Sequence, residues 1–421
     1  MALFGALSIG RSGLINSGAA LSVIGNNIAN VNTTGFKGSR VEFADLISAD
    51  AGGEIGKIGL GARIGDIRTL FTQGAIEATG RALDLGIDGG GFFVLRDGTG
   101  QVYTRAGAFG IAADGTITDP SGHALQGRAV DATGAPTGGV TDVSIAGLSS
   151  AAKATTKASL AGNLQADVPL KGPFDGTSFQ SAYDTSNFQH DVRVFDSLGK
   201  AHDVTVFFTR TGDNTWAMNI GADDGDFTGG TKGSLHLLSS GTLTFNSDGS
   251  VASVSGNVVS ATFAGASAQT ITLDLGAAGT TTGLSQFASP SGVSDVAQDG
   301  FGAGGLAGLS VDKSGFVIGT FDNGEVRPLF QLAIAQFKAP EGLVPAGNQL
   351  YRASIESGAA AIATAGVAGN GAIVSSALEQ SNVQLAQEFI DLISTQRTFQ
   401  ANTRVITASD TLLGDLVNII R

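Results

Sequence analysis

Apolar residues stand seven apart along the last part of the chain, at Leu378, Leu385, Leu392, Phe399, Ile406, Leu413 and Ile420. That is the stripe of a helix whose apolar seam packs on a second helix. Ser376-Ala377-Leu378-Glu379 just before it reads as a capping box, the Ser376 hydroxyl accepting a first-turn amide and Glu379 reaching back. The helix predicted from this cap is about 65 Å long at ~1.5 Å per residue. The other end of the chain carries a matching stripe at Leu3, Leu7, Leu14, Leu21, Ile24, Ile28 and Val31, spaced by three, four or seven. Both seams are weak: Gly10, Gly13, Gly18 and Gly25 interrupt the first, and Ser381, Glu388, Thr395 and Asn402 fill the intervening core positions of the second. A glycine costs ~1 kcal/mol relative to alanine inside a helix, and single helices are marginal in water. Two readings follow, an intramolecular helical hairpin or a seam completed by neighbouring copies, and the narrowness of the stripes favours the second. On that reading the ends of an isolated monomer are disordered.

Between the ends the period changes from seven to two. Residues 92 to 105 alternate around an Asp-Gly turn, and FGIAADGTITDPSG repeats the device at Asp114-Gly115. Further hairpins are predicted over residues 192 to 208, from Leu243, and from Phe316 with a turn at Asn323-Gly324. All eight prolines lie between Pro120 and Pro345, inside this β-rich middle. The fold class predicted is therefore mixed and mainly β: two nested β-rich domains flanked by N- and C-terminal α-helices that pair as a coiled-coil-like layer. The boundaries are an N-terminal helix over 1–30, a Gly-rich connector over 31–70, and the first part of a discontinuous β domain over 71–150. A continuous inserted β domain follows over 151–290. The second part of the discontinuous domain occupies 291–357, an Ala/Gly-rich linker 358–374, and the C-terminal helix 375–421.

Composition narrows the function. Lys and Arg total 24 against 37 Asp and Glu, a net charge of −13, which argues against nucleic acid and anionic membrane surfaces. Charged residues are only 14% of the chain, so much of its surface is weakly polar, as suits contact with copies of itself. No cysteine is present, which removes disulfides, thiolate metal sites and cysteine nucleophiles. The N-terminus lacks a basic region ahead of an apolar run, and no apolar stretch reaches membrane-spanning length, so neither a cleaved signal peptide nor membrane insertion is expected. The histidines His123, His190, His202 and His236 are scattered. His190-Asp191 and His202-Asp203 offer a weak metal suggestion against the simpler reading of hairpin-surface residues. GIDGGGFF at residues 86 to 93 precedes no helical pattern and reads as a sharp turn into a strand rather than a phosphate loop. No nucleophile elbow or P-loop lysine occurs, so no catalytic, metal or cofactor site is expected and the chain reads as a structural protein. A secreted β-rich binding protein would account for the turns and the acidity but not for the terminal stripes.

Residues 12 to 40, SGLINSGAALSVIGNNIANVNTTGFKGSR, closely resemble the N-terminal signature of bacterial flagellar rod and hook proteins. Residues 375 to 421 resemble the partner signature of the same family, and 103–127 and 321–351 resemble the two halves of its β domain. FDSLGKAHDVTVFF, residues 195 to 208, resembles a motif of the hook members, and the long central insertion points the same way, with a distal rod protein of the basal body as the alternative. The resemblance implies export through the flagellum-specific channel and addition beneath a hook cap on the distal rod protein. It further implies growth into a curved tube that joins hook-filament junction proteins and transmits torque. A physical reading of the layers then gives the terminal helices to the inner wall of that tube, the discontinuous β domain to a middle shell and the inserted domain to the outside.

Overall fold

The computed structural model describes residues 2–47, 59–98 and 100–419 of the chain. They divide into two compact units, one formed by residues 1–147, 309–319 and 327–421 and the other by 148–308 and 320–326.

The first unit contains both long helices, Ala2–Ala29 and Leu385–Ile419. They run antiparallel within the one chain, because Gly10 lies against Ile406, Gly13 against Asn402, and Asn27 bonds to Glu388. A Cβ at Gly10 would come 2.9 Å from Ile406 Cγ1, and one at Gly13 would come 2.5 Å from Asn402 Nδ2. These two glycines, which weaken the helix when it is considered alone, are where the second helix approaches its backbone. Gly18 and Gly25 meet nothing and remain a local cost.

The region read as a connector over 31–70 contains an antiparallel pair of strands, Ser39–Ile47 and Gly59–Thr69, with Val41 opposite Ile67. Val41 and Phe43 alternate on one strand, and a register shift between Glu42 and Phe43 sets Ile67 and Ile64, three apart on the other, opposite them. Asparagines bind this pair to the first helix: Asn16 Nδ2 donates to the Ala62 carbonyl at 2.8 Å, and Asn27 exchanges hydrogen bonds with the Ser39 backbone at 2.8 and 2.9 Å.

The β domain of this unit is built from outgoing and returning chain together. Phe92–Asp97 pairs with Gly100–Thr104 through the expected turn, and also with Ala124–Ala129 and with Ile334–Gln336 of the returning half. Phe92, Val94, Tyr103, Ala335, Phe337 and Tyr351 form one buried cluster, with Phe71 packed edge-on against Phe92 and Tyr351. GIDGGGFF is a turn into a strand, with Gly89 and Gly91 at φ of 109° and 114°. The Ala/Gly-rich stretch 358–374 is also more than a linker. Ala361–Ala363 pairs with Ile334–Gln336, and Ala372–Ser375 pairs with Leu85–Asp88. Small side chains suit it, since a Cβ at Gly371 would collide with the Asp88 backbone.

The helix cap expected at Ser376 and Glu379 is absent. Ser376 is in the left-handed region at φ 55°, and Ala377–Glu379 is a strand pairing with Ile76–Ala78. Leu378 therefore belongs to a strand, and the helix starts at Leu385. The reason is tertiary: the Glu379 carboxylate is committed to two buried cations, described below.

The second unit packs two five-stranded sheets face to face. In one, Lys157–Gln165 lies among Gln269–Asp274, Leu284–Phe287 and Gly292–Gln298. The other runs in order through Phe188–Phe195, Ala201–Gly212, Thr215–Asp223, Leu235–Phe245 and Val251–Val254. Leu160, Leu164, Val206, Phe208, Trp216, Met218 and Leu243 fill the space between. The expected end of the insertion at residue 290 falls before Gly292–Gln298, whose pairing with Lys157–Gln165 makes it part of this unit. His202 is not a hairpin-surface residue. It is 3% exposed, stacked on Phe263 at 3.8 Å, with Nε2 3.2 Å from Asp196 and Nδ1 2.9 Å from Asp226.

Asp299 closes this unit by accepting the Thr156 and Lys157 amides at 2.8 and 2.9 Å, with Lys153 Nζ at 3.3 Å. Burial pushes its carboxyl up, but the amides, the Thr156 hydroxyl and Lys153 outweigh burial and hold it well below the usual carboxylate range. The folded value lies below the ~3.9 of an unfolded aspartate, so its contribution is complete above about pH 4 and is lost as pH falls through the folded value. Melting followed by fluorescence of Trp216, the single tryptophan of the chain, is expected to be flat at neutral pH and to fall in acid below about pH 4. Asp299→Asn lowers the neutral-pH midpoint and flattens the acid limb. An unchanged acid limb in that variant refutes the assignment.

Candidate functional site

The site with most to explain is the terminal helical layer and its attachment to the first unit. Along the C-terminal helix, the less exposed positions are Glu388, Leu392, Thr395, Asn402, Ile406, Ser409 and Leu413, with Phe399 at 39% completing the four-three spacing. This is a heptad seam with one apolar and one polar row. It faces the chain's own N-terminal helix, through the Gly10–Ile406, Gly13–Asn402 and Asn27–Glu388 contacts. On the other side Ile24 is 9% exposed, while Leu7, Leu14, Leu21 and Ile28 are half-buried. Leu3 lies in the helix, and Ile420 lies outside the described residues. The stripe read as a contact between adjacent copies is thus, within a single chain, the intramolecular seam. Leu385 stands off it, 42% exposed.

What the two helices leave uncovered is a different set of residues. Ile390, Ile393, Val405 and Leu412 are 60, 50, 43 and 56% exposed, and Phe43 and Ile67 on the neighbouring strand pair are 51 and 50% exposed. Large side chains grouped this way on one layer mark an interaction surface.

The layer is anchored by a buried ionic cluster that sequence reasoning missed. Lys37 Nζ lies 2.6 Å from Glu379 Oε1, both side chains fully buried, and Arg105 Nη1 lies 3.2 Å from Glu379 Oε2. Lys37 also donates to the Thr72 carbonyl at 2.7 Å, Arg105 to the Gly89 carbonyl at 2.7 Å, and the Gly74 amide to Glu379 at 2.9 Å. Three stretches far apart in sequence meet on one carboxylate: the end of the N-terminal arm, the β domain, and the start of the C-terminal arm. Burial pulls the Lys37 ammonium below the usual lysine range, with Glu379 opposing it, and burial likewise lowers Arg105. Asn382 adds a second link, accepting from the Gly38 amide at 2.8 Å and donating to the Leu70 carbonyl at 2.7 Å. The available signal was an isolated lysine, Lys37, in an otherwise uncharged stretch following the first helix; nothing local pointed to its partner 342 residues away.

Among the described residues no group of three or more His, Asp or Glu is placed to hold a metal ion, and no helix is long and apolar enough to cross a membrane.

Known proteins resemble this chain in sequence along nearly its whole length. Four family descriptions match in order: "Flagella basal body rod protein" over residues 7–37, "Flagellar hook protein FlgE/F/G D1 domain" over 86–150, "Flagellar basal body protein FlaE D2 domain" over 163–301, and "Flagellar basal body rod FlgEFG protein C-terminal" over 374–419. The flagellar hook protein FlgE of Escherichia coli K12 is 34% identical over 423 residues, covering 98% of this chain and 100% of that protein. The flagellar hook protein FlgE of Treponema pallidum is 35% identical over 460 residues, covering 98% of each. The crystal structure of Helicobacter pylori flagellar hook protein FlgE2 aligns with 72% of this chain and 100% of its own, at 14% identity and a TM-score of 0.48.

Proposed function

Because the chain belongs to the flagellar hook and rod protein family, a family of axial structural proteins and not of enzymes, we propose that it is the hook subunit, polymerising into the curved tube between rod and filament. The observation that carries this reading is that the heptad seam is satisfied within one chain while a second apolar face of the same helix is left open at Ile390, Ile393, Val405 and Leu412. A helix with its own partner in place and a further exposed apolar face is suited to packing against copies of itself. The long inserted unit favours a hook subunit over a distal rod protein, as does the name borne by the full-length relatives. The low charged fraction, 14%, suits surfaces that shift past one another without breaking buried ion pairs. On this reading the chain stands outside the cell as part of the flagellum. It reaches its place through the flagellar export apparatus, and the distal rod protein, the hook cap and the hook-filament junction proteins are its other partners.

Electron micrographs of the purified chain after salt-induced polymerisation are expected to show tubes. Ile393→Asp places a charge on the open face and is expected to abolish them while leaving the Trp216 melting transition unchanged. Dispersed particles from the unmodified chain under every condition overturn the assembly reading.

A further inference from the structure

The terminal layer contains a cavity of about 520 Å3 between the N-terminal helix, the strand pair and the C-terminal helix. Its apolar lining includes Ile24, Val41, Phe43 and Leu70, and its wall on the C-terminal helix carries the carboxylates of Glu388 and Asp391. Among the described residues neither carboxylate has a cation within salt-bridge distance. Glu388 accepts only from Asn27 Nδ2 at 3.0 Å, and Asp391 from Gln387 Nε2 at 3.1 Å. Arg40 on the rim is turned to Glu42 at 3.1 Å. Burial pushes the Glu388 carboxyl up, and the neighbouring Asp391 pushes it the same way against the Asn27 bond.

The opposite side of the same helix has the complementary character. Ile390, Ile393, Arg397 and Arg404 follow at three, four and seven residues and so share a face, about 200° around the helix from Glu388, Asp391 and Thr395. All four are exposed, and neither arginine has a carboxylate partner among the described residues. One helix therefore presents aliphatic side chains with two free guanidinium groups on one side, and a carboxylate-walled apolar cavity on the other.

The geometry points to a heterologous contact between copies: the cavity receives the C-terminal helix of a second copy, with Arg397 and Arg404 turned toward Glu388 and Asp391. This rests on the self-assembly reading and names its donor and acceptor. The two surfaces are different and lie back to back, so each copy that accepts one neighbour offers its outer face to the next. Such a contact continues into an open helical array instead of closing into a dimer. The apolar floor accommodates Ile390 and Ile393, and opposite charges fix the register.

The test uses the full chain and sedimentation of polymer as a function of concentration, with electron microscopy of the pellets. Asp391→Arg, and separately Arg397→Glu with Arg404→Glu, are each expected to raise the critical concentration roughly tenfold or more, through like charges meeting in the contact. The chain carrying all three substitutions is expected to recover part of the loss, because the reversed charge at position 391 again meets opposite charges while Glu388 does not. All three positions are exposed, and folding of the first unit, which Trp216 does not report, is checked by an unchanged far-UV circular dichroism unfolding curve. If either reversal polymerises like the unmodified chain, or if the combined variant is no better than the worse single one, the pairing is wrong. Failure of the unmodified chain to polymerise would instead remove the self-assembly reading itself, and the two results are distinguishable in one experiment.

Discussion

Glu379→Ala is expected to cost the first unit about 3–5 kcal/mol, because it leaves Lys37 and Arg105 buried without their shared counter-charge. The Gly74 amide loses its acceptor in the same step. The effect is local to the junction, so fluorescence of Trp216, which reports the second unit, should be unmoved. Far-UV circular dichroism of denaturant unfolding should show the first unit lost early, and hydrogen exchange should show deprotection around Gly35, Gly74 and Glu379. A matched control is Glu42→Ala, which breaks the exposed pairs with Arg40 and Arg68 and should cost under ~1 kcal/mol. If Glu379→Ala unfolds no earlier than that control, the buried cluster is not what holds the arms to the β domain.

Trp216→Ala is expected to have a similar cost in the other unit, about 3–5 kcal/mol from the lost contacts and the cavity left behind. Trp216 is fully buried between the sheets, and its indole N–H donates to Gln286 Oε1 at 2.9 Å, while Gln286 Nε2 donates on to Asn214. Removing the ring opens the core and leaves the Gln286 acceptor without its donor. Hydrogen exchange at Val206 and Ile220 should rise steeply, while the amides of Phe92–Asp97 in the first unit stay protected. Trp216→Phe, which keeps most of the volume but not the hydrogen bond, should be clearly milder. Equal deprotection of both units would show that they unfold together and not as separate bodies.

The two substitutions also separate what can be read along a chain from what cannot. Helices at both ends, hairpins at Asp97-Gly98, Asp114-Gly115 and Asn323-Gly324, and the turn before Phe92 were legible because each depends on residues within a few positions of one another. A period of seven, a period of two, or a glycine at positive φ is a local physical requirement. The strand pair at 39–69 was hidden by its glycines, and the strands within 358–374 by their small side chains, because backbone pairing does not require large residues on the paired strand. Local signals also competed and lost. Ser376 and Glu379 have the pattern of a helix cap, a feature worth about 1 kcal/mol, yet Glu379 instead satisfies two buried cations that would each be costly to leave unpaired. His202 likewise reads as a turn-side residue until Phe263, Asp196 and Asp226 converge on it. The sequence by itself determined the long helix at each end and the hairpins that turn at Asp97-Gly98, Asp114-Gly115 and Asn323-Gly324. Only the tertiary structure decided that the heptad seam closes within one chain, that Gly10 and Gly13 are approach points, and that Lys37, Arg105 and Glu379 meet. The reason is that period and turn chemistry are set by neighbours in sequence, whereas the partner of a buried charge, or the face a helix leaves open, is set by residues hundreds of positions away.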